Sequence, residues 1–241
     1  MSVQKTILLV RPANRVVADC VLCQQNAWQA VPFSPICIQE LPENMNMLPE
    51  KMWAAAAVFW VSPTAVEMAA DVLQVHDWQN ARHIAVGQAS AEMLRQSGAS
   101  EIWVSQTGND SEAALALPVW DRLPENANIL IVRGEGGRTF LAQQLRQRGF
   151  QVQFAEIYRR EIQKLDWSVF QAAQAQAAWL TSVQQAYALF EQVPQTMAQK
   201  LQSLLYFTHH TRIAQVLFEL GALNVHVVPD LQFALNILNS N

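Results

Sequence analysis

Short continuous apolar runs punctuate this chain, separated by longer stretches in which apolar side chains return every three or four positions. The first run, Thr6 to Val10, predicts a strand closed by Arg11-Pro12. The recurrence Val16, Val17, Cys20, Val21 then predicts a helix through Gln25, with a short strand around Ala27 to Val31. Pro32, Pro35 and the segment Ile36 to Leu41 break the rhythm and read as a crossing or linker. Ala57 to Val61 is the next strand, and Ser62-Pro63 opens a helix with serine as cap and proline in the first turn. His83 to Val86 is a strand ending in Gly87, with a helix from about Ala89 to Ser97 that stops at Gly98. Ile102 to Val104 and a helix from Ser111 follow. The same grammar returns in Ala178 to Thr181 ending at Ser182, in Leu204 to Thr208 with a helix stopped at Gly221, and in Val225 to Val228. Strand–helix alternation of this kind argues for doubly wound, parallel α/β sheets.

The stretch Ile129 to Glu161 shows the unit most fully. Ile129-Leu130-Ile131-Val132 has the composition of a parallel strand buried on both faces. Arg133-Gly134-Glu135-Gly136-Gly137-Arg138 permits a tight turn, and Phe140, Leu141 and Leu145 recur at helical spacing before Gly149. A second strand, Gln151 to Ile157, leads into Tyr158-Arg159-Arg160. A glycine turn between two arginines at a helix N-terminus is suited to an anion. The two halves of the chain also superpose as a repeat, Ser62 on Ser182, Leu94 on Leu217, Gly98 on Gly221 and Leu115 on Leu235. Two similar α/β domains are therefore expected. In open α/β sheets ligands bind at the carboxyl ends of strands, where Ser62, Gly87, Arg133 and Ser182 fall.

Composition narrows the function classes. With 241 residues, 51% of them hydrophobic, the chain is long enough for sizeable cores, yet no apolar run approaches the ~18 residues of a membrane span. A net charge of -4 disfavours nonspecific nucleic-acid binding. The basic residues are mostly arginine, with Lys5, Lys51, Lys164 and Lys200 as the exceptions, and guanidinium forks suit carboxylates and phosphates. Cys20, Cys23 and Cys37 are an odd number, and the N-terminus shows no signal peptide, so free thiols and a cytoplasmic setting are expected. Cys20-Val-Leu-Cys23 lies inside an apolar helical pattern and reads as two small core residues rather than a redox pair. The five histidines show no metal-ligand spacing, so no metal site is expected.

Seven segments in fixed order carry a resemblance: LLVRP, WVSPTAV, AVGQASAEMLRQSG, ILIVRGEGGRTFLAQQLRQRG, EIYRR, LTSVQQAY and TRIAQVLFELG. Together they resemble the uroporphyrinogen-III synthase family over nearly the whole length. The resemblance implies two α/β domains joined by a two-stranded linker, one of residues 1–36 plus 163–241 and the other of 39–158, with crossings near 36–41 and 158–163. It implies a cofactor-free closure of a linear hydroxymethyl-tetrapyrrole, with loss of water and inversion of the last pyrrole ring. The substrate would carry eight carboxylates, met by local positive potential rather than by net charge. A monomer is expected, in transient contact with the preceding pathway enzyme.

Carried over position by position, the resemblance makes Tyr158 a candidate proton donor to the departing hydroxyl, a phenol being able to donate without carrying charge, the other reading being a linker tyrosine that packs between the domains. Ser62, Thr64 and Ser90 match hydroxyl or cap positions, and Ser182 is the repeat's equivalent of Ser62. Gly87, Gly136 and Gly137 would offer bare backbone to carboxylates. Arg11, Arg133 and Arg138 would bind carboxylates, although Arg11 and Arg133 could equally brace the sheet ends. The repeat departs from the pattern at His210 and Ile213, which face Gly87 and Ser90, and leaves Thr211 to cap that helix. Two other readings stay open: a nucleotide-binding enzyme, with Gly134, Gly136 and Gly137 as the phosphate turn and Glu156 as the ribose acid, and a hinged two-domain binding protein.

Overall fold

The computed structural model describes residues 5–13, 16–108, 110–137 and 139–240. The chain begins with β1 (Thr6–Val10), α1 (Val17–Gln25) and β2 (Gln29–Pro32), then β3 (Ile36–Glu40). Next come α2 (Pro42–Asn46), α3 (Leu48–Trp53), β4 (Ala57–Trp60), α4 (Pro63–Ala70), α5 (Val75–Gln79), β5 (Arg82–Ala85), α6 (Gln88–Gln96) and β6 (Glu101–Val104). After α7 (Ser111–Leu115), β7 (Asn128–Gly134), α8 (Phe140–Gln147) and β8 (Gln151–Ile162) follow. The chain ends with α9 (Trp167–Ala173), β9 (Ala177–Leu180), α10 (Val183–Glu191), α11 (Gln195–Gln202), β10 (Leu205–Thr208), α12 (Thr211–Glu219), β11 (Asn224–Val227) and α13 (Leu231–Ser240). Two compact units result. The first holds the residues up to Ile38 and those from Glu161 onward; the second is Gln39–Arg160.

Each unit is built on a parallel sheet. In the first the order is β11-β10-β9-β1-β2, every neighbouring pair parallel. In the second it is β3-β8-β7-β4-β5-β6, parallel from β8 to β6. Set side by side, β9, β10, β11, β1 and β2 take the places of β4, β5, β6, β7 and β8. The two sheets are thus circular permutations of one arrangement, which is why Ser62 and Ser182 both close the same central strand. In both sheets successive connections diverge at one point, between β1 and β9 and between β7 and β4. Such switch points open a crevice at the strand carboxyl ends.

Burial explains the apolar runs. In the first unit Leu8, Val10, Ala178, Leu180 and Tyr206 pack one face of the sheet, while Ile7, Leu9, Ala177, Trp179 and Phe207 pack the other. Strands covered on both faces leave little room for polar residues. In the second unit Phe59, Ile84, Ile129 and Ile131 meet Leu141 and Leu145 of α8. Among the described residues no helix is long and apolar enough to cross a membrane, and no group of three or more His, Cys, Asp or Glu is placed to hold a metal ion.

Several local expectations are corrected. β8 does not stop at Ile157 but runs twelve residues to Ile162. Its second half pairs with β3 in antiparallel sense, Leu41 N donating to Ile157 O and Gln163 N to Pro35 O, both at 2.9 Å. In α1 the expected apolar stripe turns out differently: Val17 and Val21 are exposed, and the inward position is Cys23. Cys20 is only half-buried, so one of the two cysteines is a core residue. Burial first, then the nearby Asp19 carboxylate and Cys20, push the Cys23 thiol up to about 12, out of the reactive range. Phe140 of α8 is likewise exposed, leaving Leu141, Ala142 and Leu145 as its buried face.

The second unit encloses a titratable group. His83 is fully buried between Trp60 and Trp78, with ring centroids 5.9 and 5.8 Å away. The Trp60 indole can only donate, and does so to His83 Nδ1 at 2.9 Å; Nε2 therefore carries the hydrogen and donates to the Trp78 carbonyl, also at 2.9 Å. Burial lowers the His83 pKa, the Trp78 carbonyl and Glu101 opposing the shift in part. Above the ordinary histidine value near 6.5, folded and unfolded states are both neutral and this site's contribution to stability is fully present. Below it the unfolded chain takes a proton that the folded one refuses, and stability falls. The urea midpoint should drop between about pH 7.5 and 5.5, and drop less in His83→Gln, whose amide can satisfy both partners without titrating. His209, lowered mainly by burial, leaves a residual slope of the same sign. Equal slopes in parent and variant would count against His83.

Candidate functional site

The carboxyl end of the second unit's sheet carries a cleft of about 280 Å³, lined by Phe59, Val61, Ser62, Asp110, Arg133, Gly134, Tyr158 and Arg160 among others. It lies at the switch point between β4 and β7. Ser62 follows β4 and caps α4, its Oγ accepting the Ala65 amide at 3.2 Å with Pro63 in the first turn. Tyr158 reaches the same atom from β8: its hydroxyl lies 3.2 Å from Ser62 Oγ. Tyr158 is 1% exposed, so its phenol is buried in the wall of the cleft.

Arg133 is committed elsewhere. Its Nη2 and Nε donate to Glu156 Oε1 at 2.7 and 3.1 Å, its Nη1 to the Gly137 carbonyl at 2.9 Å, and its guanidinium lies 3.9 Å over the Phe154 ring. It braces the end of β7 and closes the glycine turn. The same contacts remove Glu156 from the role of a ribose-binding acid. Within the turn Gly136 takes φ +71°, which a side chain would resist, whereas Gly137 does not. Arg138 lies outside the described residues.

Arg160 was not anticipated. It is exposed, lines the cleft, and its guanidinium sits 5.7 Å from the Tyr158 ring centroid. The signal was available, since residues two apart on a strand share a side and β8 continues past Tyr158. Asp110 was also missed; it caps α7, accepting the Ala113 amide at 2.8 Å, and brings a carboxylate to the cleft rim.

The remaining candidates divide between the units. Gly87 is the extended N-cap of α6, with no side chain over the helix end. Ser90 in its first turn is buried, and among the described residues its hydroxyl has no hydrogen-bond partner. Thr64 is half-buried in the first turn of α4. In the first unit Ser182 caps α10 through the Gln185 amide at 3.2 Å, matching Ser62. Arg11 pairs with Asp19 at 2.5 Å. Thr211 is corrected as a cap: His210 holds that place, its Nδ1 accepting the Arg212 amide at 3.0 Å, while Ile213 goes into the core. Ser62, Arg133, Gly137 and Tyr158 are thus brought together, and Arg11, Ser182 and Thr211 belong to the other unit.

The fold is a two-unit, doubly wound α/β arrangement, and the second unit's switch-point cleft gathers a buried tyrosine, a serine-capped helix start and an exposed arginine. A family model described as uroporphyrinogen-III synthase HemD matches residues 21–232. The uroporphyrinogen-III synthase of Escherichia coli K12 is 30% identical over 163 residues, 64% of this chain and 65% of that protein. That of Proteus mirabilis is 43% identical over 75 residues, 31% of this chain and 37% of that protein. The chain therefore matches less than two thirds of these relatives' length. Among solved structures, the Helicobacter pylori 26695 enzyme has TM-score 0.63 at 17% identity, covering 98% of this chain and 99% of that one. A mutant uroporphyrinogen III synthase from Thermus thermophilus has TM-score 0.59 at 16% identity, covering 98% of both chains. The chain belongs to the uroporphyrinogen-III synthase family.

Proposed function

We propose that this protein closes linear hydroxymethylbilane to uroporphyrinogen III, with loss of water and inversion of ring D. The observation that carries the reading is the Tyr158–Ser62 contact at the switch-point cleft. In the first step the Tyr158 hydroxyl gives its proton to the departing hydroxyl, which leaves as water, and the resulting azafulvenium cation becomes the electrophile. Ring D attacks through its substituted carbon, the spiro intermediate opens, and the ring recloses inverted. Loss of a ring proton restores aromaticity and balances the proton supplied at the start, so the net change is one water lost. No electrons are exchanged with a third party, and the scheme calls for no cofactor.

Without a template the linear substrate closes without inversion, so the protein's main contribution is to hold one conformation. Arg160, the bare end of α6 at Gly87 and the cap of α4 supply positive potential for the substrate's carboxylates. On the same reading Ser182 and Arg11, at the equivalent strand ends of the first unit, are substrate-binding candidates within that unit, and Arg138 adds a cation. The protein acts as a cytoplasmic monomer, taking its unstable substrate from the preceding enzyme by transient contact. A coupled assay with freshly made hydroxymethylbilane, resolving the two isomers by chromatography, should yield the inverted one before and after dialysis against chelator. Production of the uninverted isomer alone would overturn the function. Loss of activity on chelation, restored by zinc or magnesium, would overturn the cofactor-free scheme.

A further inference from the structure

We propose that Gly134 is a positioning residue for Tyr158: its missing side chain, with a β-bulge in the facing strand, seats the phenol ring where its hydroxyl meets Ser62. The inference rests on the reading of Tyr158 as proton donor. Along β7 and β8 the register runs residue for residue from Asn128 opposite Gln151 to Arg133 opposite Glu156, then skips. Gly134 faces Tyr158, and Ile157 is the extra residue. In unbroken register Ile157 would stand opposite Gly134; with the extra residue, Tyr158 does. A bulge re-aims side chains in this way, and such features gather beside active sites. The distortion is held on both sides, Leu41 N donating to Ile157 O at 2.9 Å and Glu135 N to Tyr158 O at 2.7 Å.

The re-aimed ring lies on Gly134. A methyl group there would stand 2.5 and 2.8 Å from two of the ring's carbons, closer than real contacts allow, and 3.0 Å from a third. Gly134 is not among the glycines with positive φ, so the backbone does not ask for glycine; the approach of the ring does. Nor can the ring swing aside freely. Its far end meets Ser62 Oγ, which the Ala65 amide fixes in turn. The phenol is located by contact at one end and by a hydrogen bond at the other.

Gly134→Ala should lower kcat about 10- to 100-fold, the order expected of a misplaced reacting group, with KM changed by less than about 2-fold. In a Tyr158→Phe background the same substitution should cost almost nothing further, because the hydroxyl it misplaces is already absent. Ser62→Ala should show the same coupling to Tyr158, and Ser62→Thr should recover most of the loss. Independently of activity, the Tyr158 Cζ resonance of carbon-13-labelled protein, assigned by its absence in Tyr158→Phe, should move in Gly134→Ala while those of Tyr187 and Tyr206 stay. Should Gly134→Ala alone fail to fold, Gly134→Ala with Tyr158→Ala should fold again, since the clash is with the ring. Multiplicative rate losses, an unmoved resonance, or no recovery on removing the ring would each overturn the inference. A wild-type protein that makes no uroporphyrinogen III would overturn the function instead, and the resonance would still report on the seat.

Discussion

Tyr158→Phe is expected to fold like the parent and to lose about 10²- to 10⁴-fold in kcat, the usual worth of a positioned general acid. The ring that packs on Gly134 is retained, so the packing that buries the tyrosine survives. What disappears is one hydroxyl whose contact is Ser62 Oγ. That oxygen keeps its bond from the Ala65 amide, so the cap of α4 persists and stability should change little. On the proposed reaction the rate should fall without vanishing, because holding a linear substrate for ring closure contributes more than any one proton transfer. On the proposed reaction the residual product should still be uroporphyrinogen III, since there conformation, not proton donation, selects the attacking carbon. Chromatographic isomer analysis checks both halves of the expectation. Full parental turnover would reduce Tyr158 to a packing residue, and a switch to the uninverted isomer would give its hydroxyl a part in choosing the ring-closing geometry.

How far this site could be read from sequence depends on the kind of force that made each part. Ile129 to Val132 announces itself because a strand buried on both faces leaves little room for polar residues. Ser62 and Ser182 announce themselves because a serine before a helix satisfies an orphan amide, wherever the rest of the fold goes. The seat of Tyr158 does not, because it arises between strands. Nothing local marks Ile157 as the extra residue of a bulge, and nothing at Gly134 distinguishes space for a neighbour's ring from a turn. The same limit hid the permutation of the two sheets, since hydrogen-bonded neighbours in a parallel sheet are far apart in sequence. The helices α2 and α3, five and six residues long, are too short to show a period. His210 went unnoticed as a cap because imidazole seldom fills that role, although a neutral ring nitrogen accepts an amide as a hydroxyl does.

Arg133→Ala is expected to act on folding more than on binding. The guanidinium is 7% exposed and donates to the Glu156 carboxylate and to the Gly137 carbonyl. Removing one partner of a buried ion pair costs about 3–5 kcal/mol when the remaining charge is stranded. Glu156 is not wholly stranded, its side chain being 32% exposed, so water recovers part of that loss. The lost stacking on Phe154 adds to the cost. A drop of about 3 kcal/mol in urea unfolding follows, about a hundredfold in the folding equilibrium. Arg133→Lys should fall between parent and Ala: it keeps a charge but not the planar fork that spans Glu156 and the turn. Arg160→Ala is the contrast. Arg160 is exposed beside the Tyr158 ring, so stability should stay within about 0.5 kcal/mol while KM rises roughly tenfold. Denaturation and steady-state kinetics on the three variants separate the roles. A stable Arg133→Ala with a raised KM would make that arginine a substrate contact after all, and the glycine turn would then need another brace.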